Sequence, residues 1–195
     1  MATLTAADLP IESPLSDSST GIAGRVLLED QSGRQVLLDL RGDANLALRR
    51  VFGTVPAAPG GVLVDQDRMV ACLRPDHLIA ATGHGDSAAL AADLRGGGSD
   101  HPITITDVTH GRGVLRLGGP RAADVLPKLC GLDFRDRAFP DLHAAQTSYA
   151  KVKALIIRQD TGGHPAYLII VDRSHAQYVW DVTADAMGEF LTQAE

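Results

Sequence analysis

The chain has 195 residues, 45% hydrophobic and 22% charged, a balance that supports a packed core needing neither disulfide nor metal. A net charge of −6 with no like-charge run leaves no electrostatic footprint for nucleic acid or anionic lipid, so no nucleic acid and no membrane is expected as a partner. Cys72 and Cys130 are too few for a disulfide framework, and the seven histidines carry no metal-ligand spacing. The start of the chain lacks the basic and apolar regions of a signal peptide, which reads as a cytoplasmic protein with reduced thiols and no metal site.

Residues 1–22, rich in Ser, Asp, Thr and Pro, have no apolar period and read as an N-terminal arm. Arg25–Leu28 and Gln35–Leu40 are short β-type runs separated by a polar turn, which predicts a hairpin with Val36, Leu38 and Leu40 on one face. Ala44–Phe52 has helical spacing and stops at Gly53, a residue suited to a left-handed cap. Strands are expected at Gly61–Val64, Met69–Leu73 and His77–Ala81, joined by turns short enough to make an antiparallel meander. Asp86 can then cap a helix with Leu90, Ala91 and Leu94 inward, ended by Gly96–Ser99.

The second half repeats this order. Strands are expected at Ile103–Asp107 and Gly113–Leu117, and a helix over Pro120–Cys130 in which Pro127 should force a kink or an early end. Strands near Ala145–Ala150, Ala154–Arg158 and Ala166–Val171 follow. The last helix begins at a capping box, Ser174 with Gln177, and lays Val179, Val182, Ala186 and Phe190 along one side. Leu38-x-Leu40-x-Gly42 parallels Leu115-x-Leu117-x-Gly119. The fold class is therefore α+β, a duplicated β2-α-β3-α unit with antiparallel sheets packed by helices, its two repeats at about 23–98 and 101–195 of a single domain.

Few motifs carry chemistry. Gly83-His-Gly85-Asp-Ser-Ala88 fits G-x-G-x-x-A, but a dinucleotide site needs a parallel sheet, and the hairpin-length turns before it predict antiparallel strands. Asp107-Val-Thr-His110-Gly-Arg112 gathers an acid, a hydroxyl, an imidazole and a guanidinium in one turn. Such a cluster can hold a carboxylate or phosphate, or its members can bond the turn backbone and meet a partner protein. No nucleophile motif surrounds either cysteine or any serine, so no catalytic residue is assigned. Tyr178 and Trp180 read as core or subunit-contact aromatics.

Asp107–Arg112, then Leu115-Arg-Leu-Gly-Gly-Pro-Arg-Ala-Ala-Asp-Val-Leu-Pro-Lys-Leu-Cys-Gly-Leu-Asp133, Arg137-Ala-Phe-Pro140, Gln146-Thr147 and Tyr167–Trp180 together resemble the gamma subunit of heterotetrameric sarcosine oxidase. Ser13-Pro-Leu15, Leu40-Arg-Gly42 and Pro75–Ile79 extend the likeness more thinly into the first half. That family is similar to the folate-binding domain of the glycine-cleavage aminomethyltransferase, which implies the same duplicated fold. The resemblance implies a complex of alpha, beta, gamma and delta chains that oxidatively demethylates sarcosine to glycine, giving hydrogen peroxide and formaldehyde or methylene-tetrahydrofolate. It further implies that FAD, FMN, NAD and the tetrahydrofolate site belong to the large partner chains.

The expected function is that of a non-catalytic gamma subunit that stabilises the assembly, with no cofactor of its own. Asp107, His110, Arg112, Arg121, Tyr178 and Trp180 are the expected partner or anion contacts. The alternative is a stand-alone folate-binding or one-carbon transfer protein of the aminomethyltransferase type, holding its ligand near Asp107, His110 and Arg112. The chain lacks the K-G-C-x-x-G-Q-E motif of the iron-sulfur-assembly relatives and the acidic folate-site residue in a glycine-rich strand turn, which speaks against that alternative.

Overall fold

The computed structural model describes residues 13–16, 19–22, 24–83, 87–95 and 103–192. Its elements are β1 (Ser19–Ile22), β2 (Val26–Asp30), β3 (Gln35–Arg41), α1 (Asn45–Phe52), β4 (Val62–Asp65), β5 (Arg68–Arg74), β6 (His77–Gly83) and α2 (Ser87–Arg95). The second half gives β7 (Thr104–Asp107), β8 (Arg112–Gly118), α3 (Ala122–Val125), β9 (Ala144–Tyr149), β10 (Val152–Arg158), β11 (Ala166–Asp172) and α4 (Ala176–Thr192). They build two antiparallel sheets, one in the order β1-β2-β8-β11-β10-β9 and one in the order β4-β5-β6-β3-β7.

Between the two halves the sheets exchange strands. The run β3-β6-β5-β4 matches β8-β11-β10-β9, and each run is flanked by a strand from the other half, β7 beside β3 and β2 beside β8. The expected hairpin of β2 with β3 is therefore wrong. Leu28 pairs with Leu117 and Glu29 with Arg116, because Val26 and Leu28, both fully buried, complete the apolar face of the second-half sheet under α4. A short polar link satisfies the local pattern of a hairpin equally well when its two strands part company. The arm expected over 1–22 also ends in structure, since Ser19–Ile22 forms the edge strand β1.

Strand alternation then sorts the side chains into layers. Along β11, Tyr167, Ile169 and Val171 face α3 and α4, whereas Leu168 and Ile170 face the other sheet. Along β6, Leu78 and Ala80 face α1 and α2, and Ile79 and Ala81 face inward. Burial on both sides explains why these strands read as unbroken apolar runs, and it makes four layers, helix, sheet, sheet and helix.

Local rules decide several ends. Gly53 caps α1 with φ 72°, as its position predicts. Gly42 and Gly119, the glycines of the two L-x-L-x-G strings, have φ 108° and 119°. At Gly119 a Cβ would stand 2.5 Å from the Arg25 carbonyl oxygen, which accepts the Arg121 N–H, so only glycine lets β2 approach so closely. The helix expected over Pro120–Cys130 is reduced to α3 and a 3-10 turn, Leu126–Lys128, around Pro127. The capping box does not form: a 3-10 turn over Arg173–His175 precedes α4, and the Gln177 side-chain Oε1 accepts the Ser16 backbone N–H at 2.9 Å instead. Residue 86 and the run 96–99 lie outside the described residues.

Candidate functional site

Where the two sheets face each other, the apolar layer gives way at one end to a cleft of about 180 Å³. Its floor is Leu37, Ile79, Leu155 and Ile170, all buried. Its rim is charged. On one lip β3 presents Asp39 and Arg41 on the same face as Leu37, and the register sets Arg41 opposite His77 of β6. On the other lip the register sets Arg112 of β8 opposite Asp172 of β11, with Lys153 and Gln146 from β10 and β9 alongside.

Most of these charges are mutually engaged. Arg41 donates to Asp39 from Nε at 2.7 Å and from Nη2 at 3.3 Å, and His77 Nε2 lies 3.1 Å from the same carboxylate. Arg112 pairs with Asp172. Lys153 and Gln146 are the exceptions, for neither side chain makes a hydrogen bond or ion pair among the described residues. An apolar floor with charged lips and two unengaged donors can take a small amphiphilic anion or a partner's side chain.

The residues expected from sequence fall in different places. Arg112 lines the cleft. Asp107 serves the turn itself: its Oδ1 accepts the Thr109 N–H at 2.9 Å, and buried Thr109 Oγ1 accepts the Leu37 N–H at 2.8 Å, which staples the turn to β3. His110 is exposed beside it. Arg121 pairs with Asp124 at 3.1 Å and lies over the Phe190 ring at 4.9 Å, tying α3 to α4. Tyr178 is 46% exposed and donates its hydroxyl to the Ala150 carbonyl at 3.1 Å. Trp180 takes the core side of its reading as a core or subunit-contact aromatic: it is 3% exposed and sits in the core under the second-half sheet, which corrects its place among the expected partner contacts. Neither Arg121 nor Tyr178 lines the cleft.

Sequence reasoning missed Asp39, Arg41, His77, Gln146, Lys153 and Asp172 as a group. The one available signal was Asp39 inside the apolar run Val36–Leu40, where a strand buried on both faces admits a charge only if it is paired. The motif at Gly83–Ala88 loses its dinucleotide reading, because β6 is antiparallel to both β5 and β3; residues 84–86 lie outside the described residues.

A second polar centre, around Arg158, is structural. Its buried guanidinium donates to both Asp160 carboxylate oxygens at 2.9 and 3.0 Å, to Asp136 at 2.7 Å and to the Phe139 carbonyl at 2.7 Å. Hydrogen bonding to Asp160 raises its pKa further. Burial pushes the Tyr167 hydroxyl up to about 12 and lifts Tyr149 above the ordinary tyrosine range, so both rings are neutral core members. Tyr149 meets Thr183 of α4 at 3.1 Å. Among the described residues no group of three metal-ligating side chains could hold a metal ion, and no helix is long and apolar enough to cross a membrane.

This geometry has counterparts. Residues 44–192 match the family of the GCVT N-terminal domain. The sarcosine oxidase gamma subunit of Corynebacterium sp. strain U-96 is 32% identical over 166 residues, covering 85% of this chain and 78% of its own. The chain belongs to the sarcosine oxidase gamma-subunit family. The gamma subunit from an Arthrobacter species is 30% identical over 177 residues, covering 87% of this chain and 84% of its own. Among solved structures, the heterotetrameric sarcosine oxidase from Corynebacterium sp. U-96 matches with a TM-score of 0.74 and 31% identity, covering 89% of this chain and 90% of that chain. The glycine-cleavage aminomethyltransferase T from Bartonella henselae matches with a TM-score of 0.64 at 17% identity over 82% of this chain and 45% of that one, a likeness of fold.

Proposed function

We propose that this chain is the gamma subunit of a heterotetrameric sarcosine oxidase-type enzyme, and that its role is to assemble and stabilise the complex. The observation that carries this reading is the match, along nearly the full length of both chains, to a chain of an enzyme that is itself a heterotetramer. Its own chemistry fits a supporting role, since the buried polar groups at Arg158 and Tyr149 hold strands and loops together and the charges on each lip of the cleft are largely paired within that lip. The partners in this reading are alpha, beta and delta subunits. FAD, FMN and NAD belong to those chains, with tetrahydrofolate as co-substrate, and the assembly oxidatively demethylates sarcosine or a related N-methyl amino acid in the cytoplasm.

Expressing the partner chains with and without this one tests the reading. Omission is expected to lower the yield of assembled, flavin-containing complex and the sarcosine-dependent release of hydrogen peroxide in proportion. A complex that forms, retains flavin and turns over at full rate without this chain overturns it.

A further inference from the structure

The gamma-subunit reading leaves the cleft between the sheets without a task. We propose that it binds a small organic carboxylate, a short apolar body bearing one carboxylate group, free in solution. The floor supplies the apolar half of the site: Leu37 and Ile79 from one sheet, Leu155 and Ile170 from the other. The volume, about 180 Å³, is on the scale of an apolar cavity of about 150 Å³ that takes up benzene.

The charged rim supplies the other half. Arg41, Arg112 and Lys153 stand against two carboxylates, Asp39 and Asp172, so the fixed charges of the rim number three cationic to two anionic. Asp39 already faces Arg41 and His77, and Asp172 already faces Arg112, which leaves no free carboxylate for a cationic ligand. The open donors are the Lys153 ammonium and the Gln146 amide, neither engaged by any group among the described residues. Gln146 is opposite Leu155 in the register, and Lys153 is two residues from Leu155 on the same face of β10. The two donors are thus diagonal neighbours on adjacent strands, within reach of the two oxygens of one carboxylate. Inorganic phosphate offers charge but nothing for the floor, and a neutral amide of the same shape offers Lys153 a carbonyl oxygen but no charge.

The test uses the full chain, with isoleucine methyl groups labelled so that Ile79 and Ile170 report on the floor by NMR, titrated with benzoate, benzamide and inorganic phosphate. Saturable shifts at both methyls with benzoate, at roughly tenfold higher affinity than benzamide, are expected, with none for phosphate. Lys153→Met keeps the apolar stem and is exposed, so its melting temperature should be unchanged while benzoate affinity falls roughly tenfold. Equal binding of benzoate and benzamide, or an unchanged affinity in Lys153→Met, overturns the proposal. The same titration in the assembled heterotetramer separates a free ligand from a partner's acidic side chain: retained shifts support the free carboxylate, and their loss on assembly overturns it in favour of a partner group seated in the cleft.

Discussion

Arg74 and Arg158 end the equivalent strands β5 and β10, and each reaches an aspartate two residues further on. Arg74 Nε lies 3.3 Å from Asp76, with both side chains more than half exposed, whereas Arg158 is 5% exposed at its side chain and gathers Asp160, Asp136 and the Phe139 carbonyl. The difference runs through the whole molecule. The core under the second-half sheet contains Phe134, Phe139, Tyr149, Tyr167, Trp180 and Phe190, while that under the first-half sheet is built from Val, Leu, Ala and Cys72, with Phe52 at its margin. One duplicated plan has thus been filled in two ways, a large aromatic core braced by a buried guanidinium and a smaller aliphatic one with its ion pairs on the surface. The strand exchange joins them, so neither half owns a complete sheet.

The severest way to break the comparison is to separate the halves. A fragment of residues 101–195 lacks β2, which leaves Leu115 and Leu117 of β8 without their neighbour. It should show no cooperative unfolding transition, and a peptide spanning residues 19–31 should restore one; an independently folded fragment would mean that the exchanged strand is dispensable. Next come the two cores. Trp180→Ala should cost about 4 kcal/mol in denaturant unfolding and Leu48→Ala about 2–3 kcal/mol, and the reverse order would deny that the aromatic core dominates. The arginine pair follows: Arg158→Met should cost about 2–3 kcal/mol, less than a fully buried pair because Asp136 stays in water, and Arg74→Met less than about 0.5 kcal/mol. Smallest are the hairpins. Ala150 and Lys151 both have positive φ in the β9–β10 turn, at 47° and 67°, whereas only Gln66 does in the β4–β5 turn. Lys151→Gly should raise stability by about 0.5–1 kcal/mol, read as a higher denaturant midpoint at unchanged slope.

Much of this was legible in the sequence because it is decided locally. Helical spacing ending at Gly53, the stop at Pro127 and the repeated element order all follow from neighbours a few residues apart. The partner of β2 does not, since Val26 and Leu28 are placed by α4 and β8, more than eighty residues away. Gln177 offered a plausible local partner in Ser174 yet bonds Ser16, a contact no local rule contains. The cleft was least legible. Its residues come from β3, β6, β8, β9, β10 and β11, and only the face-to-face packing of the sheets brings Asp39 and His77 opposite Arg112 and Lys153. The turn Asp107–Arg112 drew attention for its composition, and of its polar side chains only Arg112 reaches the cleft.

Membership of a larger assembly is tested most directly by gentle isolation of this chain from extracts of its source cells, with co-eluting proteins identified by mass and a visible spectrum recorded. Co-elution with two large chains and one small one in fixed proportion, together with flavin absorbance that the chain expressed alone lacks, is the expected result. A solitary, colourless chain that takes up a folate in a titration would contradict it and restore the stand-alone one-carbon module.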